Sequence, residues 1–382
     1  MSETVEIHGE VAPGFEPVRD TFAENFASGS ELGASFAAER EGEVLVDLWA
    51  GHRDAAAQLP WERDTLTTVY STTKGIAALV CAVLVDRGAL DYDAPVAQYW
   101  PEFGSNGREA VSVAMLLSHQ AGLSALREPV TEAEFYEPGP LLARLLAQEP
   151  LFAPGSASGY HAITYGPLVG ELVRRACGES LGSFLRREIC EPLAADFFIG
   201  LPEEEESRVA EVVTPPRKGN GLGFEYPSEV SKLTLTNPGA KPETRNTREW
   251  RAAEVASVNG QGCAAGLARI YAALAAGGTW DGNKILSRAT LEKGSASQAA
   301  GTDLVISFPM DWACGWLRNY HGVIYGPNKD AFGHSGYGGS FGFADPRAGI
   351  GAGYVPNRMA ANIVGDKRAL RLVRALYDCI DD

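Results

Sequence analysis

The chain has 382 residues, 45% of them hydrophobic and 21% charged, enough to bury a large core and divide into two lobes. Its formal net charge of −16 argues against nucleic acid or an anionic membrane as a partner, since both select basic surfaces, and leaves a small neutral substrate open. The opening residues Met1 to Ile7 carry neither a basic nor an apolar leader region, and no apolar run reaches membrane-spanning length. Cys81, Cys177, Cys190, Cys263, Cys314 and Cys379 are scattered without C-x-x-C spacing, so reduced thiols in a cytoplasmic protein are expected.

In chain order, Phe15 to Phe26 predicts a short amphipathic helix. Ala34–Ala38 and Val44–Gly51 flank Glu39-Arg40-Glu41-Gly42-Glu43 as an antiparallel hairpin. Val69-Tyr70-Ser71-Thr72-Thr73-Lys74-Gly75 then opens the apolar run Ile76–Val85, a buried helix stopped at Asp86-Arg87-Gly88. Leu116 to Leu123 ends a helix in glycine, and Leu141 to Gln148 is helical. Pro154 to Tyr160 is a loop, and Thr164 to Cys177 is a helix stopped by Gly178, with Ser180 capping the next. From Glu203 to Arg248 the pattern weakens into a long excursion suited to covering a site, and Glu203-Glu204-Glu205-Glu206 reads as a solvated turn with no metal or partner role. Cys263 to Ala276 is an amphipathic helix. Beyond Ala313 the period returns to two: Trp316–Tyr320, Ser340–Ala344 and Gly349–Val355 read as strands, and Ala369 to Ile380 as a closing helix.

Strands thus bracket a helical middle. The expectation is an α/β architecture of α+β type, an antiparallel sheet built from both chain ends with a mostly helical lobe inserted. Residues 1–70 plus 300–382 would form the sheet lobe and 71–299 the helical lobe that carries Ser71, with the active site between them.

Ser71 and Lys74 lie one helical turn apart on the same face. A serine at a helix N-terminus has unpaired backbone N–H groups aimed at whatever its oxygen bonds. Its hydroxyl becomes a nucleophile when a neighbour takes its proton, and a desolvated lysine amine can do so. Ser-x-x-Lys also occurs by chance on solvated helix faces, but this one stands at the mouth of an almost wholly apolar helix. Tyr160 reads either as a packed tyrosine with a satisfied hydroxyl or as a group facing the site. Phe332 to Ser340 holds so much glycine that either a tight sheet turn or a substrate lying along the strand accounts for it. Trp250, Trp280, Trp312 and Trp316 fit an acyl pocket or plain core packing. Two Gly-x-Ser-x-Gly matches, around Ser180 and Ser340, fail as nucleophile elbows: the first joins two helices, and no histidine follows the second. The six histidines and six cysteines show no zinc spacing, and no P-loop or dinucleotide fingerprint is present, so neither metal nor cofactor is expected.

Ser71-Thr72-Thr73-Lys74, Leu116 to Leu123, Tyr160 and His334-Ser335-Gly336 with Gly338-Gly339 together resemble the class C β-lactamase-like serine hydrolases, most of all their family VIII carboxylesterases. The resemblance spans about residues 30–375 and implies a β-lactamase/transpeptidase-like fold. It implies Ser71 as the acylated nucleophile, Lys74 and Tyr160 as its base partners, the backbone N–H groups of Ser71 and Tyr337 as the oxyanion hole, and His334, Ser335 and Gly336 as the substrate-lining strand. Two departures bear on activity: Ala162 stands where lactamases of the family have asparagine, and His334 where they have lysine. An ester needs neither group. The reading is therefore a cytoplasmic serine carboxylesterase for small, short-chain acyl esters. An acyltransferase using the same acyl-enzyme, a weak β-lactamase or D-amidase, and a non-catalytic scaffold remain as alternatives.

Overall fold

The computed structural model describes residues 5–214, 226–238, 242–361 and 364–380. Nine described strands form one antiparallel sheet: β1 (Ile7–Val11), β2 (Gly33–Arg40), β3 (Glu43–Gly51), β4 (Ala299–Thr302), β5 (Pro309–Trp312), β6 (Leu317–Arg318), β7 (Phe332–Ser335), β8 (Phe341–Asp345) and β9 (Ile350–Pro356). Their order is β1-β3-β2-β9-β8-β7-β6-β5-β4, so the two chain ends meet where β2 pairs with β9, Phe36 opposite Tyr354. This is the fold expected of the β-lactamase/transpeptidase class, mixed helices around an antiparallel sheet.

Both faces of the sheet are covered, which is why β2 and β9 are buried along almost their whole lengths instead of alternating. On one face lie α1 (Glu16–Ala27) and the C-terminal helix α5 (Lys367–Asp378), which share a core of Phe22, Phe36, Leu372 and Leu376. On the other lies α4 (Ala264–Ala275), although it belongs to the central stretch of the chain. The glycines of β9 let it in: a Cβ at Gly351 would stand 1.9 Å from Ala272 N.

The helix α2 (Thr72–Asp86) is buried through Leu84 and packs beside α3 (Tyr165–Cys177). Its first turn is wedged between α4 and the sheet, for a Cβ at Gly75 would fall 2.2 Å from the Tyr271 hydroxyl and 3.2 Å from His334 Cβ. None of the helices among the described residues is long and apolar enough to cross a membrane.

The structure departs from the expectation in several places. The strand predicted over Trp316–Tyr320 shrinks to Leu317–Arg318, because the Asn319 side chain turns inward. Its Oδ1 accepts N–H bonds from Val323, Ile324 and Tyr325, and its Nδ2 donates to Gly326 O and Asn328 O. Edge strands β1 and β4 carry no alternation to read, being largely exposed. The glutamate run is more than a solvated turn: Glu206 pairs with Arg248 at 2.8 Å and with Arg251 at 2.6 Å, tying the start of the excursion to its end. Residues 215–225 and 239–241 of that excursion lie outside the described residues.

Candidate active site

Ser71 stands at the N-cap of α2, and its hydroxyl makes no capping bond to the helix. The preceding Tyr70 is held at φ 46°, a left-handed conformation that costs a non-glycine residue about 1–3 kcal/mol and turns the chain sharply into the helix. Surrounding bonds hold that turn in place. Val69 N donates to Gly260 O at 2.9 Å, Gly260 N to Thr73 Oγ1 at 2.9 Å, and Ser340 Oγ to Val69 O at 2.7 Å. Ser340, the centre of one elbow-like match, is thus a clamp on the nucleophile turn.

Lys74 is fully buried. Its Nζ lies 3.2 Å from Ser71 Oγ, 2.8 Å from Ala162 O and 2.8 Å from Ser257 O, with no carboxylate among its hydrogen-bond partners. Burial with no counter-charge holds its amine well below the usual lysine value. A neutral amine has two N–H donors and one lone pair. With its hydrogens on the two carbonyls, a neutral Lys74 amine would have its lone pair left for the Ser71 hydroxyl.

Tyr160 bonds to Ser71 from the other side, and burial raises its phenol above the usual tyrosine range, so it keeps its proton. The ring is fixed on every side. Trp312 stacks on it with centroids 5.4 Å apart and planes 5° from parallel, and His119 meets its edge at 5.0 Å. Asp303 Oδ1 accepts the Tyr160 N–H at 3.1 Å, and Asp303 Oδ2 accepts Trp312 Nε1–H at 3.2 Å, so one buried carboxylate orients both rings. His119, at φ 66°, accepts the His161 N–H on Nδ1 at 3.3 Å, and its carbonyl accepts the Gly159 N–H at 3.0 Å. The Leu116–Leu123 motif is therefore the mould for the Tyr160 loop. Burial pushes His161 down to about 4, leaving its Nε2 to accept the Leu123 N–H at 3.2 Å.

His334, on β7, donates from Nδ1 to Ser335 O at 2.8 Å, and its Nε2 is buried without a partner among the described residues. Burial, with Lys74 nearby, lowers it to about 3, so the ring is neutral at any ordinary pH. Ser335 Oγ pairs with the Tyr325 hydroxyl at 3.1 Å. Gly336 is a glycine because of the protein itself: a Cβ there would fall 2.2 Å from both Val69 O and Ser340 Oγ. That contact brings the end of β7 against the nucleophile turn. The next residue, Tyr337, meets Tyr70 edge-on with ring centroids 5.8 Å apart.

Ser71, Tyr160, His334 and Ser335 share a cavity of about 260 Å³ whose remaining walls are apolar: Ile306, Met310, Trp312, Leu317 and Val364. A second cavity of about 290 Å³ lies across the 335–341 turn, against Asp366 and Ala369, and touches neither Ser71 nor Tyr160. Of the four tryptophans named from the sequence, Trp312 alone lines the catalytic cavity. Asp303 and the carbonyls of Ala162 and Ser257 had no sequence signal. A buried acid and two backbone oxygens acquire their roles only through the fold. Among the described residues no group of three or more His, Cys, Asp or Glu side chains is placed to hold a metal ion.

Known proteins resemble this chain in sequence and in fold. The sequence matches the Beta-lactamase family over residues 18–376. It is 34% identical over 372 residues to the esterase/beta-lactamase LipL of Mycobacterium tuberculosis, covering 94% of this chain and 84% of that protein. Its structure is similar to a family VIII carboxylesterase (TM-score 0.92, 46% identity, 98% of this chain and 100% of the other). It is also similar to a penicillin-binding protein homologue from Caulobacter crescentus (TM-score 0.93, 44% identity, 98% and 100%). With this likeness running from end to end, the chain belongs to the beta-lactamase family, on its family VIII carboxylesterase side, and is a serine hydrolase acting on esters.

Proposed function

We propose that this protein hydrolyses small, short-chain acyl esters through an acyl-enzyme on Ser71. Lys74, neutral, takes the Ser71 proton as the oxygen attacks the ester carbonyl, and Tyr160, protonated, gives its proton to the departing alcohol. The N–H groups of Ser71 and Tyr337 stabilise the oxyanion, an arrangement in which each donor is worth a few kcal/mol of barrier. His334, Ser335 and Gly336 form the substrate strand, and water then frees the serine. The site would lie between the sheet lobe and the helical lobe. The free thiols of Cys81, Cys177, Cys190, Cys263 and Cys314 suit a reducing cytoplasm.

The observation that carries this reading is the buried Lys74 amine, 2.8 Å from two carbonyls and 3.2 Å from the Ser71 oxygen, with no carboxylate among its hydrogen-bond partners. Turnover of p-nitrophenyl acetate tests it. Ser71→Ala and Lys74→Ala are each expected to lose at least about 10³-fold in kcat/KM. Full activity in Ser71→Ala would sink the proposal. Nitrocefin, measured beside it, is expected to turn over at least about 10²-fold more slowly, because Ala162 offers no amide and His334 no charge to a β-lactam's carboxylate.

A further inference from the structure

The tetrahedral carbon formed on Ser71 Oγ has three other substituents. Its oxyanion turns toward the Ser71 and Tyr337 N–H groups, and its leaving oxygen must face the group that protonates it. Tyr160 is that group in the reading above, and Tyr160 lines the catalytic cavity, whereas Lys74 and Tyr337 do not. The bond from carbon to leaving oxygen therefore points into the cavity. Apart from His334 and Ser335 on β7, the remaining walls are apolar: Trp312, Met310, Leu317, Ile306 and Val364.

Among the described residues only five large apolar side chains are exposed, and three of them, Phe308, Tyr320 and Val323, sit on the two turns that lead out of the cavity walls. Phe308 lies between the wall residues Ile306 and Met310, and Tyr320 and Val323 follow the wall residue Leu317. The His321 ring joins the two turns, 5.8 Å from Phe308 and 4.8 Å from Tyr320. Exposed apolar side chains following in sequence on the cavity's wall residues, two of them joined through one ring, offer apolar surface to a ligand.

We infer that the cavity and its Phe308–Tyr320–Val323 rim receive the alcohol portion of the ester, making the substrates short-chain acyl esters of long or bulky apolar alcohols. The inference rests on the Ser71 acyl-enzyme reading and adds the direction in which the substrate lies. As the Ser71 oxygen bonds to the acyl carbon, the bond from that carbon to the alcohol oxygen breaks. The Ser71 proton passes to Lys74 and the Tyr160 proton to the alkoxide, and the free alcohol leaves through the rim.

Isomeric esters test this. Hexyl acetate and ethyl hexanoate have the same composition and differ only in which side of the ester carries the chain. Each methylene buried is worth about fourfold in binding. Wild type is expected to favour hexyl acetate by about tenfold or more in kcat/KM. In Phe308→Ser/Val323→Ser, two surface changes that leave the core intact, the hexyl acetate to ethyl acetate ratio is expected to fall about fourfold or more. Equal or faster turnover of ethyl hexanoate would overturn the assignment, as would an unchanged ratio in the double variant. Retained hydrolysis of both isomers by Ser71→Ala would instead bring down the underlying acyl-enzyme reading.

Discussion

The chemistry turns on the protonation of single residues, and the burial of each sets its state. Lys74 is held below its ordinary value and Tyr160 above its own, which favours the neutral form of each, whereas His334 at about 3 and His161 at about 4 titrate too low to matter near neutrality. Activity should rise with pH through the Lys74 ionisation and then hold into alkaline solution. His334→Gln, followed by kcat/KM for p-nitrophenyl acetate across pH 4–10, is expected to keep that acid limb where wild type has it. The same amine sets a sign for stability. Its folded value is depressed, so below the ordinary lysine value the unfolded chain binds a proton that the folded chain refuses, and folding is penalised more as pH falls. Lys74→Met has no such penalty. Relative to wild type its stability should therefore improve as pH is lowered from about 10, by up to about 1.4 kcal/mol per pH unit until the Lys74 value is passed. Denaturant unfolding at several pH values checks this. Of these residues the sequence exposes the serine and lysine, which are a turn apart, far better than the two carbonyls that tune the lysine, because every residue has a carbonyl.

The elements around the site are legible to different depths. The α2 helix, the β2–β3 hairpin and the C-terminal helix announce themselves by period and by their stop signals. The glycines of the 332–340 strand and turn stand out as well, but their purpose is plain only in three dimensions. Gly336 meets Val69 O, and Gly75 meets the Tyr271 hydroxyl, contacts that no local pattern encodes. Gly336→Ala places a methyl group 2.2 Å from a backbone oxygen, so β7 or the nucleophile turn must give way. A loss of roughly 1–3 kcal/mol in unfolding free energy is expected. A larger proportional change is expected in kcat than in KM, since the displaced strand leads into Tyr337, the proposed oxyanion donor. A variant with both unfolding and kcat unchanged would show that this approach does not position the site. Asn319 teaches the reverse lesson: its strand-like surroundings predicted a longer β6, yet five bonds from one amide side chain bent the chain into a turn.

At the scale of the molecule, the turn beside Tyr337 is fastened from the far end of the chain. Arg368, buried at the start of α5, donates to Gly338 O at 2.7 Å and to Arg358 O at 2.9 Å, and pairs with Glu31 and Asp366 at 2.9 Å each. The Tyr354 hydroxyl donates to the same Glu31. Removing one member of such a network leaves a charge buried without compensation, so Arg368→Met should cost about 3–5 kcal/mol. Adding Glu31→Gln should recover part of that loss, and chemical denaturation of the single and double variants would show it; additive losses would refute the coupling. The general layout, terminal strands around helices, is readable from the order of the periodicities. Which strands become neighbours is not, since that depends on pairing across some three hundred positions. The meeting of β2 with β9 has a consequence for biosynthesis. On the ribosome Ser71 emerges well before Ser340, which bonds to Val69 O in its turn, and before β9, which pairs with β2. The turn at Ser71 therefore takes its final form only after segments made some 270 positions later have folded against it.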